Sequence, residues 1–86
     1  MPEVSRFFGI VVRMFFDEHP PAHFHADYSE FSAVVGVQPI EVLESGLPPR
    51  ALSMVLEWAA RNQAGLIENW DRLRSGQSAR RLPPLT

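Results

Sequence analysis

Apolar residues alternate with other residue types along the first segment of the chain, from Arg6 to Asp17. The even positions from residue 8 to residue 16 are all apolar: Phe8, Ile10, Val12, Met14 and Phe16. A period of two with β-branched and aromatic side chains is typical of a strand that buries one face. The pattern therefore predicts one strand whose even face lies on the core, ended before Pro20 and Pro21, which cannot sit inside a ladder.

Two further alternating segments, His23–Tyr28 and Phe31–Val37, predict a β-hairpin. Its register follows from placing apolar residues opposite apolar residues, as a buried face requires. The predicted core pairs are Tyr28 with Phe31, Ala26 with Ala33 and Phe24 with Val35. Ile40–Glu44 can add a fourth short strand before the turn at Ser45 and Gly46.

The same rule predicts how the first strand pairs with the second. On the core face it sets Phe16 opposite Phe24, Met14 opposite Ala26 and Val12 opposite Tyr28. On the other face it sets Arg13 opposite Asp27, which predicts an ion pair on the side away from the core.

A stripe of apolar residues at helical spacing follows Pro48 and Pro49, which suit the first turn of a helix. The stripe consists of Leu52, Val55, Leu56, Ala59, Leu66, Ile67, Trp70 and Leu73, with the polar Gln63 in phase among them. It keeps its phase through Gly65. We therefore predict one long helix from about Pro49 to Arg74, straight or kinked at Gly65, with two separate helices as the alternative.

These elements predict an α+β domain, in which a small antiparallel meander of three to four strands is followed by one long helix packed on one sheet face. The domain spans residues 1–75, and residues 76–86 form a basic, proline-containing tail. The chain has 86 residues and no cysteine. That length permits one core, and the composition excludes a disulfide framework and a thiolate metal site. With no membrane-spanning stretch, we expect a cytoplasmic protein.

All eight basic residues are arginine, and they are unevenly placed. The last fifteen residues hold four of them and no acid: Arg72, Arg74, Arg80 and Arg81. Such a run can contact nucleic acid, but the acidic balance of the whole chain does not favour nucleic acid as the main partner.

The three histidines, His19, His23 and His25, fall within seven residues. Alternation along a strand sends His23 and His25 to one face, with Asp27 beside them. This predicts a site for a zinc-like divalent metal held by the three imidazoles and Asp27. The alternatives are metal-free acid–base catalysis by His23 and His25 with Arg13, and a purely structural role in holding the loop.

A second candidate surface lies on the odd face of the first strand, where Phe7, Val11 and Phe15 form an apolar stripe. Trp58 lies off the helical stripe, on the side predicted to face away from the core, where we expect a chain terminus to cover it unless it binds a partner. Exposed aromatic residues can anchor a partner. We therefore predict a protein partner or a homodimer that uses these four residues or a sheet edge.

Several motifs together resemble the small bacterial family called domain of unknown function 4160. They are Ser5-Arg6-Phe7-Phe8-Gly9-Ile10, Val12-Arg13-Met14, the run His19 to His25, Leu56-Glu57-Trp58-Ala59 and Glu68-Asn69-Trp70. The resemblance covers nearly the whole chain. It implies that Arg13 and the three histidines are family-pattern residues, although Ala22 stands where the family usually has a second proline. No activity comes with the family name.

The resemblance also implies a small bacterial protein, often encoded beside another small protein and sometimes labelled a regulator or a toxin–antitoxin-like component. Our leading hypothesis is accordingly a protein-interaction or regulatory module. The alternatives are a small histidine-dependent hydrolase, such as a ribonuclease-type toxin, and a metal-binding domain.

Overall fold

The computed structural model describes residues 3–86, which form an antiparallel five-stranded sheet and two helices. The strands are β1 (Glu3–Phe7), β2 (Ile10–Arg13), β3 (His23–Tyr28), β4 (Phe31–Val37) and β5 (Ile40–Ser45), and they lie side by side in chain order. The helices are α1 (Pro49–Arg61) and α2 (Gln63–Arg74). The α+β class is confirmed, whereas the predicted strand number and the single long helix are wrong. No helix within residues 3–86 has the length and apolar character that a membrane crossing requires.

The segment predicted as one strand turns back on itself at Phe8 and Gly9. Both residues have positive φ angles, 50° and 80° respectively, and only glycine adopts this conformation without steric cost. The turn places Phe7 opposite Ile10 in neighbouring strands. Alternation concealed this turn, because apolar residues continue through it.

The turn also decides which apolar side chains are buried. Three predicted core positions are buried: Ile10, Val12 and Met14. Phe8 and Phe16 were predicted on the same buried face but are 61% and 72% exposed, because they lie in the turn and beyond the end of β2. Phe7 was predicted on the other face and is buried, since it belongs to β1 and the alternation of β2 does not extend to it.

The strand registers follow the predicted faces. Every predicted pair between β3 and β4 is confirmed. Between β2 and β3 the predicted register is wrong by two residues, because Val12 lies opposite Ala26 and Arg13 opposite His25. A shift of two residues leaves each side chain on the same face of the sheet. Within β2 and β3 the side chains therefore lie on the predicted faces, although the pairing is wrong.

The helical segment breaks at Asn62, three residues before the predicted kink. Asn62 has φ −117° and ψ 20°, and its backbone N–H and its side-chain Nδ2 both donate to the Trp58 carbonyl. Asparagine side chains commonly compete with helical hydrogen bonding in this way. Gly65 lies inside α2, where a Cβ atom would come within 2.7 Å of Leu82 Cδ2. The glycine thus permits close approach of the C-terminal segment.

Trp58 occupies the centre of the core rather than the outer face of the helix, which corrects its predicted position. Its side chain is fully buried, and its ring centroid lies 5.6 Å from those of Phe7 and Phe24. Its Nε1 donates to the Pro83 carbonyl at 2.8 Å. Because the sheet and the C-terminal segment both contact this residue, a single apolar stripe could not identify its environment.

The C-terminal segment packs along the domain. Asn69, which is buried, accepts a hydrogen bond from the Arg80 backbone N–H and donates one to the Arg80 carbonyl. The Leu82 N–H donates to the Val4 carbonyl at 2.7 Å, and Leu85 is buried. Contacts with both β1 and α2 therefore hold residues 80–85. The predicted domain, residues 1–75, begins with two residues that lie outside the described part of the chain.

Glu3 connects β1 to this C-terminal segment. Hydrogen bonds from Arg6 and Arg81 lower the pKa of Glu3 from 4.5 to about 2. Because the folded-state pKa is depressed, the stabilising effect is present above about pH 4.5 and is lost as the pH falls toward 2. We expect the difference in unfolding free energy between the wild type and Glu3→Gln to shrink over that range in urea titrations. A difference that does not change with pH would contradict this assignment.

Candidate metal centre

Three donor side chains converge where β3 begins. Glu18, from the loop between β2 and β3, meets His23 and His25 of β3, and their ligand atoms all lie within 4.8 Å of one another. The two histidines are two residues apart, so strand alternation directs them to the same side. The loop folds back and supplies the carboxylate. The result is a partly buried set of two imidazoles and one carboxylate.

The hydrogen bonds assign the imidazole tautomers. His23 Nδ1 lies 2.8 Å from the Pro21 carbonyl, which can only accept, so Nδ1 carries the proton. In the neutral ring, the Nε2 of His23 is then an unprotonated ligand atom, 3.6 Å from Glu18 Oε1. His25 Nε2 lies 2.5 Å from the same oxygen and donates to it. A proton thus connects His25 to the carboxylate, and a metal bound there would displace it.

The charge state of Glu18 suits this arrangement. Burial alone would raise the pKa of Glu18, but the hydrogen bond from His25 and electrostatic attraction to the two imidazoles outweigh burial and lower it. The carboxylate is therefore ionised near neutral pH and is available as an anionic ligand.

Aromatic contacts fix the orientation of both imidazoles. The His23 ring lies 5.2 Å from the His25 ring and 5.3 Å from Trp70 of α2. Phe15 packs edge-on against His25 at 5.1 Å. Side chains held by such contacts lose little further rotamer freedom when they bind a ligand, which favours tight binding.

Two of the predicted metal ligands lie elsewhere. Asp27 forms an ion pair with Arg13, whose Nη1 lies 2.5 Å from Asp27 Oδ2, so this predicted pair is present despite the shifted register. His19 is exposed and does not belong to the converging group. Sequence reasoning missed Glu18. Its position next to His19 was the available signal, but only the path of the loop determines which side chains of the loop return to β3.

An open pocket of about 300 Å³ adjoins the centre. It is lined by Phe16, Glu18, His19, Pro20 and Arg74. Glu18 is therefore shared by the centre and the pocket. A second pocket, of about 340 Å³, is lined by Phe16, Leu73, Gly76, Gln77 and Ser78.

The remaining predicted contact residues are dispersed. Phe7 and Trp58 are buried in the core and present no surface to a partner, whereas Val11 is half-buried and Phe15 is 38% exposed. Among the four C-terminal arginines, Arg72 donates to the Ser78 carbonyl and Arg81 pairs with Glu3. Arg80 is anchored through its backbone to Asn69, and Arg74 borders the pocket.

The chain belongs to a family whose members share a domain of unknown function, DUF4160. The family model matches residues 9–71, which is most of the chain and includes all three converging donors. No curated protein and no solved structure matches the chain at a significant level. Because the function of this family is unknown, a functional proposal for the protein rests on the chemistry of the centre.

Proposed function

We propose that this protein is a domain that binds a divalent transition metal through Glu18, His23 and His25. The observation that carries the proposal is the convergence of their ligand atoms within 4.8 Å. The predicted site thereby keeps two of its histidines, exchanges Asp27 for Glu18 and leaves His19 outside the ligand set.

The donor set favours particular metals. Two imidazoles and one carboxylate are the protein ligands of several zinc hydrolase sites and of non-haem Fe(II) sites. Three protein ligands leave at least one coordination position open for water or an added ligand. An all-oxygen site would favour calcium or magnesium instead. Zinc is the practical probe because it has no redox chemistry.

Calorimetric titration of the tag-free protein with zinc tests the proposal. We expect one zinc per chain with a dissociation constant well below millimolar, and binding lost when both His23 and His25 are replaced by alanine. His19→Ala is the matched control, since it removes an imidazole six residues from His25 and should leave the affinity unchanged. Equal affinity in the double variant, or loss of binding in the His19 control, would refute the assignment.

A second candidate function, protein interaction, is favoured by a different observation. Within the described part of the chain, β5 is the last strand of the sheet and pairs with β4 alone, and its Val42 and Leu43 are 41% and 42% exposed. An unpaired strand edge can accept an added strand. Glu41 and Glu44 are exposed along this edge, so the occupant we propose is an extended segment that alternates basic and apolar residues. A toxin–antitoxin-like role for such a complex stays a prediction.

A synthetic peptide of alternating lysine and valine probes this edge. We expect amide resonances of β5 to shift on titration, and the shift to disappear when Glu41 and Glu44 are both replaced by lysine. Replacing Glu57 and Glu68 on the helices by lysine makes the same change in net charge and should leave the shift intact. Loss of the shift in both variants, or self-association through β5 without peptide, would overturn this candidate.

A further inference from the structure

Arg74 provides a fixed positive charge on the pocket next to the proposed metal centre. Its guanidinium carbon lies 6.0 Å from the centre of the Trp70 ring, in cation–π contact. Trp70 also contacts His23, with ring centroids 5.3 Å apart. Trp70 therefore contacts both the Arg74 guanidinium and one of the proposed metal ligands.

Apart from its contact with Trp70, the Arg74 guanidinium has no charged partner in the described part of the chain. Within residues 3–86, no carboxylate lies in ion-pair distance of its guanidinium, although Arg6, Arg13, Arg61 and Arg81 all have such partners. Arg74 is exposed and borders the pocket together with Glu18 and His19. Its N–H donors are therefore free to bind an anion there.

The chemistry of the pocket indicates which anion fits. A metal at the centre would present an open coordination position, Arg74 offers a planar pair of N–H donors, and His19 offers a third group. Three separate groups that can bind anionic oxygens match an anion with at least three oxygens better than a carboxylate, which has two. Phe16, 72% exposed on the pocket wall, adds an apolar surface for an organic substituent.

We propose that the pocket binds a phosphate monoester or a related phosphonate, whose oxygens are shared between the metal and Arg74. This inference rests on the proposed metal binding and adds the class of ligand to it. The pocket volume of about 300 Å³ accommodates a phosphoryl group together with a small substituent.

Phenylphosphonate, which cannot be hydrolysed, is the probe. With manganese bound in place of zinc, the paramagnetic ion should broaden the phosphorus resonance of the probe through direct proximity, and calorimetry should give its affinity. Arg74→Gln is expected to weaken binding by about tenfold or more, as for loss of a charge-assisted hydrogen bond. Arg80→Gln, with the same change in net charge, should have little effect.

The outcomes separate the two proposals. Metal binding without phosphonate binding, or equal weakening in the Arg74 and Arg80 variants, would refute the anion pocket and leave the metal centre in place. Phosphonate that binds the metal-free protein as tightly as the loaded protein would refute the sharing of oxygens with the metal. If no metal binds, both proposals are wrong.

Discussion

Replacing Trp58 with alanine is expected to lower the free energy of unfolding by about 3–5 kcal/mol, the cost of removing a large buried aromatic side chain. Trp58 is fully buried between Phe7 and Phe24, and its Nε1 donates to the Pro83 carbonyl. The variant loses both the packing and the attachment of the C-terminal segment. Since domains of this size are stable by roughly 5–15 kcal/mol, the loss would remove much of the total.

Urea denaturation followed by far-ultraviolet circular dichroism measures this effect. Trp58→Phe keeps a ring but loses the N–H donor, so its cost should be intermediate. Phe16→Ala is the control, because that ring is 72% exposed and its removal should change stability by less than about 0.5 kcal/mol. A cost for Trp58→Ala similar to that of the control would show that the helix does not pack on the sheet as described.

Zinc is expected to stabilise the folded protein and to lose this effect when the centre is removed. A ligand that binds only the folded state adds about 2.7 kcal/mol when its free concentration is one hundred times its dissociation constant. For a domain of this size, that gain corresponds to a rise in the melting midpoint of roughly 10–20 °C. The variant lacking both His23 and His25 should show no such rise.

Thermal unfolding with and without zinc, at fixed protein concentration, measures the shift. The His19→Ala protein should gain as much as the wild type, because His19 lies outside the converging group. Glu18→Gln should gain less, since it exchanges the anionic ligand for a neutral amide. An equal gain in all four proteins would mean that zinc stabilises the fold through some other site.

Side-chain alternation predicted much of the sheet, because a two-residue period is a local property of the chain. It correctly paired Phe24 with Val35 and Ala26 with Ala33. It failed where two strands share one apolar run, since Phe7 and Ile10 face each other across a turn that the alternation conceals. A separate error is the shift of two residues between β2 and β3. It arises because β2 ends at Arg13 and the loop that follows is longer than predicted.

The helical segment illustrates a different limit. The apolar stripe predicted the extent of helix from Pro49 to Arg74, but the break at Asn62 depends on a local competition for the Trp58 carbonyl. The burial of Trp58 depends on a segment more than twenty residues later in the chain. Periodicity describes one element at a time and cannot include a contact of that kind.

The candidate centre was partly predictable, because side-chain alternation along a strand is a local property of the chain. The spacing of His23 and His25 within a strand brings their imidazoles together. Asp27 pairs with Arg13 as predicted, although the register sets Arg13 opposite His25. Glu18 could not be selected, because it enters through the path of the loop rather than through a regular element. A carboxylate near a histidine pair in the sequence is therefore a reason to test the loop residues as ligands.

Anomalous X-ray diffraction at the zinc edge, from crystals grown with zinc, tests the central claim most directly. The account predicts one strong peak at about 2.0–2.2 Å from a carboxylate oxygen of Glu18 and from one imidazole nitrogen each of His23 and His25. A crystal with no peak at these three side chains, or with zinc bound by His19 and Asp27 instead, would contradict it.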